Sequence, residues 1–235
     1  MLRKVSYAGG KSPSFIGATE DLVELAERPV SRERVRRWTE KVGEEFVEEA
    51  ESLAEAYQAL PLPEQRRSPT DQVPQVACVM MDGGRIQVRD RHEVKRDAKG
   101  YWKESLVGCC LSMVSQEHTQ DPCPAIPKTF VDPARMNELS REIKGFSAPA
   151  DDAEESPEEP IDDRIGRPET LVKSVVATRL GKDALGRRLV AEAHSRGFRA
   201  AVRKAFVGDG SATNWGVHKK HFSHYTPILD FTHAI

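Results

Sequence analysis

Val76-Ala77-Cys78-Val79-Met80-Met81-Asp82-Gly83-Gly84-Arg85-Ile86-Gln87-Val88-Arg89-Asp90 is the stretch on which the reading of this chain turns. Six consecutive apolar residues ending in an aspartate predict a buried strand. Gly83-Gly84 then predicts a tight turn. Arg85–Arg89 alternates polar and apolar side chains, as a half-exposed strand does, so the whole stretch reads as a β-hairpin. Downstream, Tyr101–Ser115 (YWKESLVGCCLSMVS) predicts another strand, kinked or bulged near Gly108. Two later apolar runs also end in aspartate: Ala205-Phe206-Val207-Gly208-Asp209, ahead of Gly210, and Pro227-Ile228-Leu229-Asp230. The β-branched residues Val172, Val175, Val176 and Thr178 predict a strand over Leu171–Leu180. Asp183–Arg196 predicts a helix with Leu185, Leu189, Val190 and Ala193 inward and Gly197 as its stop. Thr213–Phe222 predicts a further helix. The predicted class is therefore mixed, α+β or α/β.

Upstream of this part the period changes to that of a helix. Leu22, Val23, Leu25 and Ala26 predict a short helix ending near Pro29. Ser31 is a good N-cap for a second one. Val35, Trp38, Val42, Phe46, Ala50, Leu53 and Tyr57 then recur in steps of three and four on one stripe. Leu60-Pro61-Leu62-Pro63 ends that helix. Its charges are ordered against the macrodipole: Arg32, Arg34, Arg36, Arg37 and Lys41 come first, then Glu44, Glu45, Glu48, Glu49, Glu51 and Glu55. Cations placed against the dipole point to a use other than helix stability. A helix, a short turn and a second helix with a basic start fit a helix-turn-helix, whose second helix meets DNA with its N-terminal residues. A plain helical hairpin used for packing or dimer contact fits the same pattern. The expected organisation is a helical, helix-turn-helix-like region over 1–63, a polar linker over 64–75 and an α/β part over 76–235.

The whole chain has 35 Lys+Arg against 37 Asp+Glu, a net charge of −2. Asp151–Asp163 (DDAEESPEEPIDD) holds eight of the acids and no base, so the rest carries 35 bases against 29 acids, a net +6. A basic body with one acidic insertion, near 147–166, fits a nucleic-acid partner. Ordinary surface charge gives the same count. The insertion's composition predicts disorder. The stretch DPCPAIPKTFVDPA before it reads as loop, and Asn137–Lys144 as a short helix. Hydrophobic residues make up 38%, which supplies a core. No apolar run reaches the ~18 residues of a membrane span, and the N-terminus has no apolar h-region. Cys78, Cys109, Cys110 and Cys123 form no CxxC pair, which argues against a disulfide framework or a cysteine zinc site. A reducing, cytoplasmic setting is expected. No phosphate-binding G-x-x-x-x-G-K-[ST] loop occurs, which removes the P-loop ATPases.

Asp82, Asp209 and Asp230 each close an apolar run. A sheet that gathers strand ends brings such carboxylates together, and their repulsion is relieved by hard cations such as Mg²⁺ or Mn²⁺. Two such ions ~3.5–4 Å apart support phosphodiester transfer. Any one of these aspartates taken alone is commonly just a turn residue; the three together carry the reading. His218, His221 and His224, spaced by three, read as a metal site or as a helix surface. Lys219 and Lys220 between them favour contact with phosphates. Cys109-Cys110 reads as strand packing. Tyr101 and Trp102 can stack on bases or pack in the strand.

VACVMMDGGRIQVRD, YWKESLVG, AFVGDGSATNW and ILDFTHA, in that order, resemble the DDE transposases of bacterial insertion sequences, in their Mutator-related branch. The resemblance spans about Val76 to Ile235 apart from the acidic insertion, and the helical front resembles the DNA-binding region of such proteins. It implies an RNase H-like fold and Asp82 and Asp209 as catalytic, metal-holding acids. Asp230 and His233 would form an accessory Asp-x-x-His motif, and Trp215 matches a tryptophan that follows the second acid. It implies a two-ion Mg²⁺ or Mn²⁺ site, double-stranded DNA as partner (element ends and target), a nucleoid-associated cytoplasmic location and no membrane; a homo-oligomer is allowed. The family's third acid is a glutamate on a helix well beyond the Asp-x-x-His motif. The last glutamate here is Glu192. The resemblance therefore implies a chain cut short of its third acid, with an incomplete RNase H-like domain and no strand transfer of its own. The alternative is a non-catalytic DNA-binding or interaction module derived from a transposase.

Overall fold

A computed structural model describes residues 2–87, 102–120, 122, 166 and 168–230. The chain divides into two compact units, Met1–Pro61 and Leu62–Ile235. The acidic insertion (Gly166 apart), the helix expected at Asn137–Lys144, and Arg89, Tyr101, Cys123 and His233 lie outside the described residues.

The first unit is three helices, α1 (Leu2–Lys11), α2 (Phe15–Ala26) and α3 (Arg32–Ala59), each packed on the other two. Ser14 Oγ accepts the Gly17 N–H at 3.0 Å and starts α2. The end of α2 is set one turn before Pro29, where Glu27 takes a left-handed conformation (φ 51°) and Arg28 N–H closes on Leu22 O. Ser31 caps α3 as its residue type predicts, accepting the Arg34 N–H. Val5, Ala18, Leu22, Val30 and Val35 form the core, with Trp38 packed on its edge. Further along the α3 stripe, Phe46 is exposed. Helix α1 had no expectation in the sequence, because Gly9-Gly10 weakens its helical pattern. The glycine has a packing reason: a Cβ on Gly9 would collide with the Thr39 hydroxyl of α3.

The second unit begins with a single-turn helix, α4 (Leu62–Gln65), and is built on a five-stranded mixed sheet: β1 (Val76–Gln87), β2 (Trp102–Val114), β3 (Glu169–Thr178), β4 (Arg203–Gly208) and β5 (Thr226–Leu229). The strand order is β3-β2-β1-β4-β5. β2 runs antiparallel to both β1 and β3, while β4 is parallel to β1 and β5 parallel to β4. Two helices, α5 (Lys182–Ser195) and α6 (Ala212–His221), connect β3 to β4 and β4 to β5. With six helices among the described residues, the fold is mixed, as expected.

Two expectations need correction. Gly83-Gly84 is no turn: β1 runs straight through it, pairing from Val76↔Met113 to Gln87↔Trp102. The antiparallel partner of Val76–Met81 is thus β2, and Arg85–Gln87 belongs to the same strand as Met81. A glycine fits there because Leu106 leans across the ladder, 3.2 Å from where a Gly83 Cβ would stand. Nor is β2 kinked at Gly108, which pairs regularly with Met81 and Val176; the register shift falls at Ser112/Met113. Gly108 serves packing instead, since a Cβ there would lie 2.6 Å from the Leu189 side chain of α5.

Alternation along β1 buries Ala77, Val79 and Met81 against the two helices. Leu106 and Cys110 of β2, Phe206 of β4, Leu185 and Leu189 of α5 and Val217 of α6 fill the same core. Arg196, just past α5, ties the helix to the sheet. Its guanidinium donates to Cys110 O, Ser174 Oγ, Ser112 Oγ and Val172 O and lies 4.8 Å over the Phe198 ring.

Candidate functional site

Sheet order places the three aspartates. Met81 pairs with Gly208, and Gly208 with Leu229. The residues that follow, Asp82, Asp209 and Asp230, therefore occupy consecutive register positions across β1, β4 and β5. Asp230 N–H donates to Gly208 O at 2.9 Å, which extends that register past β5. Asp82 is exposed, and Asp209 and Asp230 are half-buried.

The carboxylates are held differently. Asp82 Oδ1 accepts the N–H of its own neighbour Gly83 at 2.7 Å. Asp209 Oδ1 accepts two donors, Ser211 N–H at 3.0 Å and Asn214 Nδ2 at 2.5 Å. The first closes a turn that delivers Ser211 to the N-cap of α6, where its Oγ accepts the Asn214 N–H. Beside Asp209 opens a cleft of about 190 Å³, lined by Gly83, Gly84, Arg85, Glu104, Leu106, Asp209, Ser211, Thr213 and Asn214. Asp82 is not part of its lining, and the β1 alternation that turns Met81 to the helices turns Asp82 to the other face. Glu104 stands opposite Arg85 across the β1–β2 ladder.

The donor set suits a hard divalent cation. It offers carboxylate oxygens on neighbouring strands, and Asp209 Oδ2 takes no donor among the described residues. Among the described residues no three His, Cys, Asp or Glu side chains gather at one point. Two carboxylates leave most of an octahedral shell to water, as Mg²⁺ tolerates.

The other expected residues stand apart from the cleft. Trp215 packs against Phe206 (ring centroids 6.2 Å) and edge-on to His218. Lys219 and Lys220 are exposed in the last turn of α6, at the opposite end from Ser211, and Lys220 pairs with Asp183 at 2.8 Å. The three histidines scatter. His218 meets Tyr225 O, His221 packs its ring on Gly186, and His224 accepts from Arg199. Burial holds the His221 pKa below its usual value, and the buried His221 Nε2 meets no hydrogen-bond partner among the described residues. Cys78 and Cys110 are buried free thiols. Burial pushes Cys78 up to about 11 and raises Cys110 as well, so both stay protonated and inert.

In the first unit, Arg32, Arg34, Arg36, Arg37 and Lys41 are exposed on the first turns of α3. Arg36 is held within its own helix by Glu33 and by Glu40 at 2.9 Å. Lys41 lies 5.6 Å over the Trp38 ring.

Asn214, Ser211, Arg85 and Glu104 carried no assignment in the sequence. Asn214 and Ser211 sit inside GDGSATNW, where the aspartate and tryptophan draw the eye. Glu104 becomes visible only once β1 is known to run past the glycines, which sets it opposite Arg85. Compared with models of known protein families, the chain matches none, and no curated protein matches it.

Proposed function

We propose that the second unit is an RNase H-like core of the DDE transposase type, with Asp82 and Asp209 as its first two metal-holding acids. The observation that carries this reading is their register: two aspartates at adjacent backbone positions on neighbouring parallel strands, the second of them lining an open cleft. The sheet order supports it, with one antiparallel strand, β2, inside an otherwise parallel set. A divalent ion held there would supply charge neutralisation and an activated oxygen nucleophile for phosphodiester chemistry. Asp82 and Asp209 would bind it, while Asp230 and the cleft's polar rim would orient its water shell. With two protein carboxylates, binding is weak and the described residues transfer no DNA strand by themselves. A second reading, a DNA-binding module without catalysis, rests on the exposed cations of α3, of which Arg32, Arg34 and Arg37 lie on its first two turns.

The test is thermal unfolding with and without Mn²⁺, in wild type and Asp82→Asn. A ligand bound only by the native state at ten times its Kd adds about 1.4 kcal/mol, a rise of roughly 3–6 °C for a protein of this size. Wild type should show that rise and Asp82→Asn should lose it. Without metal, Asp82→Asn should melt slightly higher, because one of two like charges is gone. An equal Mn²⁺ response in both proteins would reduce Asp82 to a surface residue and remove the catalytic assignment.

A further inference from the structure

Asn214 is 1% exposed, and its amide nitrogen makes two bonds, to Met81 O at 3.1 Å and to Asp209 Oδ1 at 2.5 Å. Both partners are acceptors, so the nitrogen is fixed as the donor and both its protons are used. One bond ends on the strand residue immediately before Asp82, the other on Asp209 itself. The amide is thus a strut between the two strands that carry the acids. Gly208 makes room for it, since a Cβ there would stand 3.1 Å from Asn214 Cβ. With Ser211 N–H, the same amide occupies Oδ1 of Asp209 and leaves Oδ2 for the cleft.

We propose that Asn214 is the positioning residue of this site. It sets the spacing of Asp82 and Asp209 and presents a single oxygen of Asp209 to the cation. The proposal rests on the metal-site reading above and deepens it. Asn214 touches neither the cation nor substrate; it acts through Asp209 and the Met81 carbonyl.

The experiment measures Mn²⁺ affinity by electron paramagnetic resonance on the full chain, well below the melting temperature of every variant. The proteins are wild type, Asp209→Asn, Asn214→Ala and Val217→Ala. Val217 is a core residue of the same helix, 2% exposed, and its truncation weakens packing without touching the strut. Asn214→Ala should weaken Mn²⁺ binding by about 10–100-fold, the usual effect of losing a group that orients a ligand. Val217→Ala should melt lower yet keep the wild-type affinity, which separates positioning from mere stability. Should Asn214→Ala not fold, Asn214→Ser, which keeps one donor, takes its place and is read the same way. Mn²⁺ binding that Asp209→Asn abolishes but Asn214→Ala retains overturns the positioning role alone. No binding by wild type overturns the metal site and this role together.

Discussion

His224 shows how a single side chain ties the second unit's stability to pH. Its Nε2 lies 3.2 Å from Arg199 Nη1, and a guanidinium can only donate, so the ring is a neutral acceptor. Partial desolvation of the ring first, then the charges of Arg199 and Lys204, hold its pKa down to about 4, although the residue as a whole is exposed, so solvent screens part of that shift. The unfolded chain takes up that proton near 6.5. Between those two values the unfolded state binds more protons than the native one. The stabilisation is therefore complete above pH 6.5 and is lost as the pH falls towards 4. His221, also lowered by burial, acts in the same direction. In urea unfolding at pH 7, 6, 5 and 4.5, the His224→Gln midpoint should fall less than that of wild type. Parallel declines would mean that the ring does not act as a neutral acceptor.

Helix α3 is the element on which the proposed DNA binding rests. Arg36 is engaged with Glu33 and Glu40, so the cations that such binding would use are chiefly Arg32, Arg34, Arg37 and Lys41. Each phosphate contact releases counterions, and log K falls with log salt by about 0.9 per contact on duplex DNA. Replacing both Arg34 and Arg37 by Ala should flatten that slope by about 1.8 and weaken retention at low salt. Unchanged retention would reject the helix-turn-helix assignment. This helix was legible in the sequence from its Ser31 cap and apolar stripe, as were the strands whose apolar runs end in Asp82, Asp209 and Asp230. What stayed hidden has a physical reason in each case. Gly83-Gly84 satisfies a tight turn and a crowded strand equally, and only Leu106, distant in sequence, decides between them. Asn214 works through a carbonyl 133 residues away, a relation no local pattern encodes.

Across the sheet, the order β3-β2-β1-β4-β5 brings three aspartates scattered along the chain into one register line, Asp82 within β1 and Asp209 and Asp230 just past β4 and β5. Asp82 and Asp230 are 148 positions apart in the chain, yet they flank Asp209 in one register line. Parallel β1 and β4 require a crossover, and packing α5 and α6 on one face supplies both the connections and the core. No helix among the described residues is long and apolar enough to cross a membrane. The proposed function requires Asp82 and Asp209 to share one divalent cation. Crystals of the full chain soaked in Mn²⁺ and measured by anomalous scattering test it directly. A shared cation gives a peak about 2.1 Å from a carboxylate oxygen of each aspartate, absent from crystals of Asp82→Asn. A peak elsewhere, or none between the two side chains at Mn²⁺ concentrations that raise the melting temperature, would contradict it.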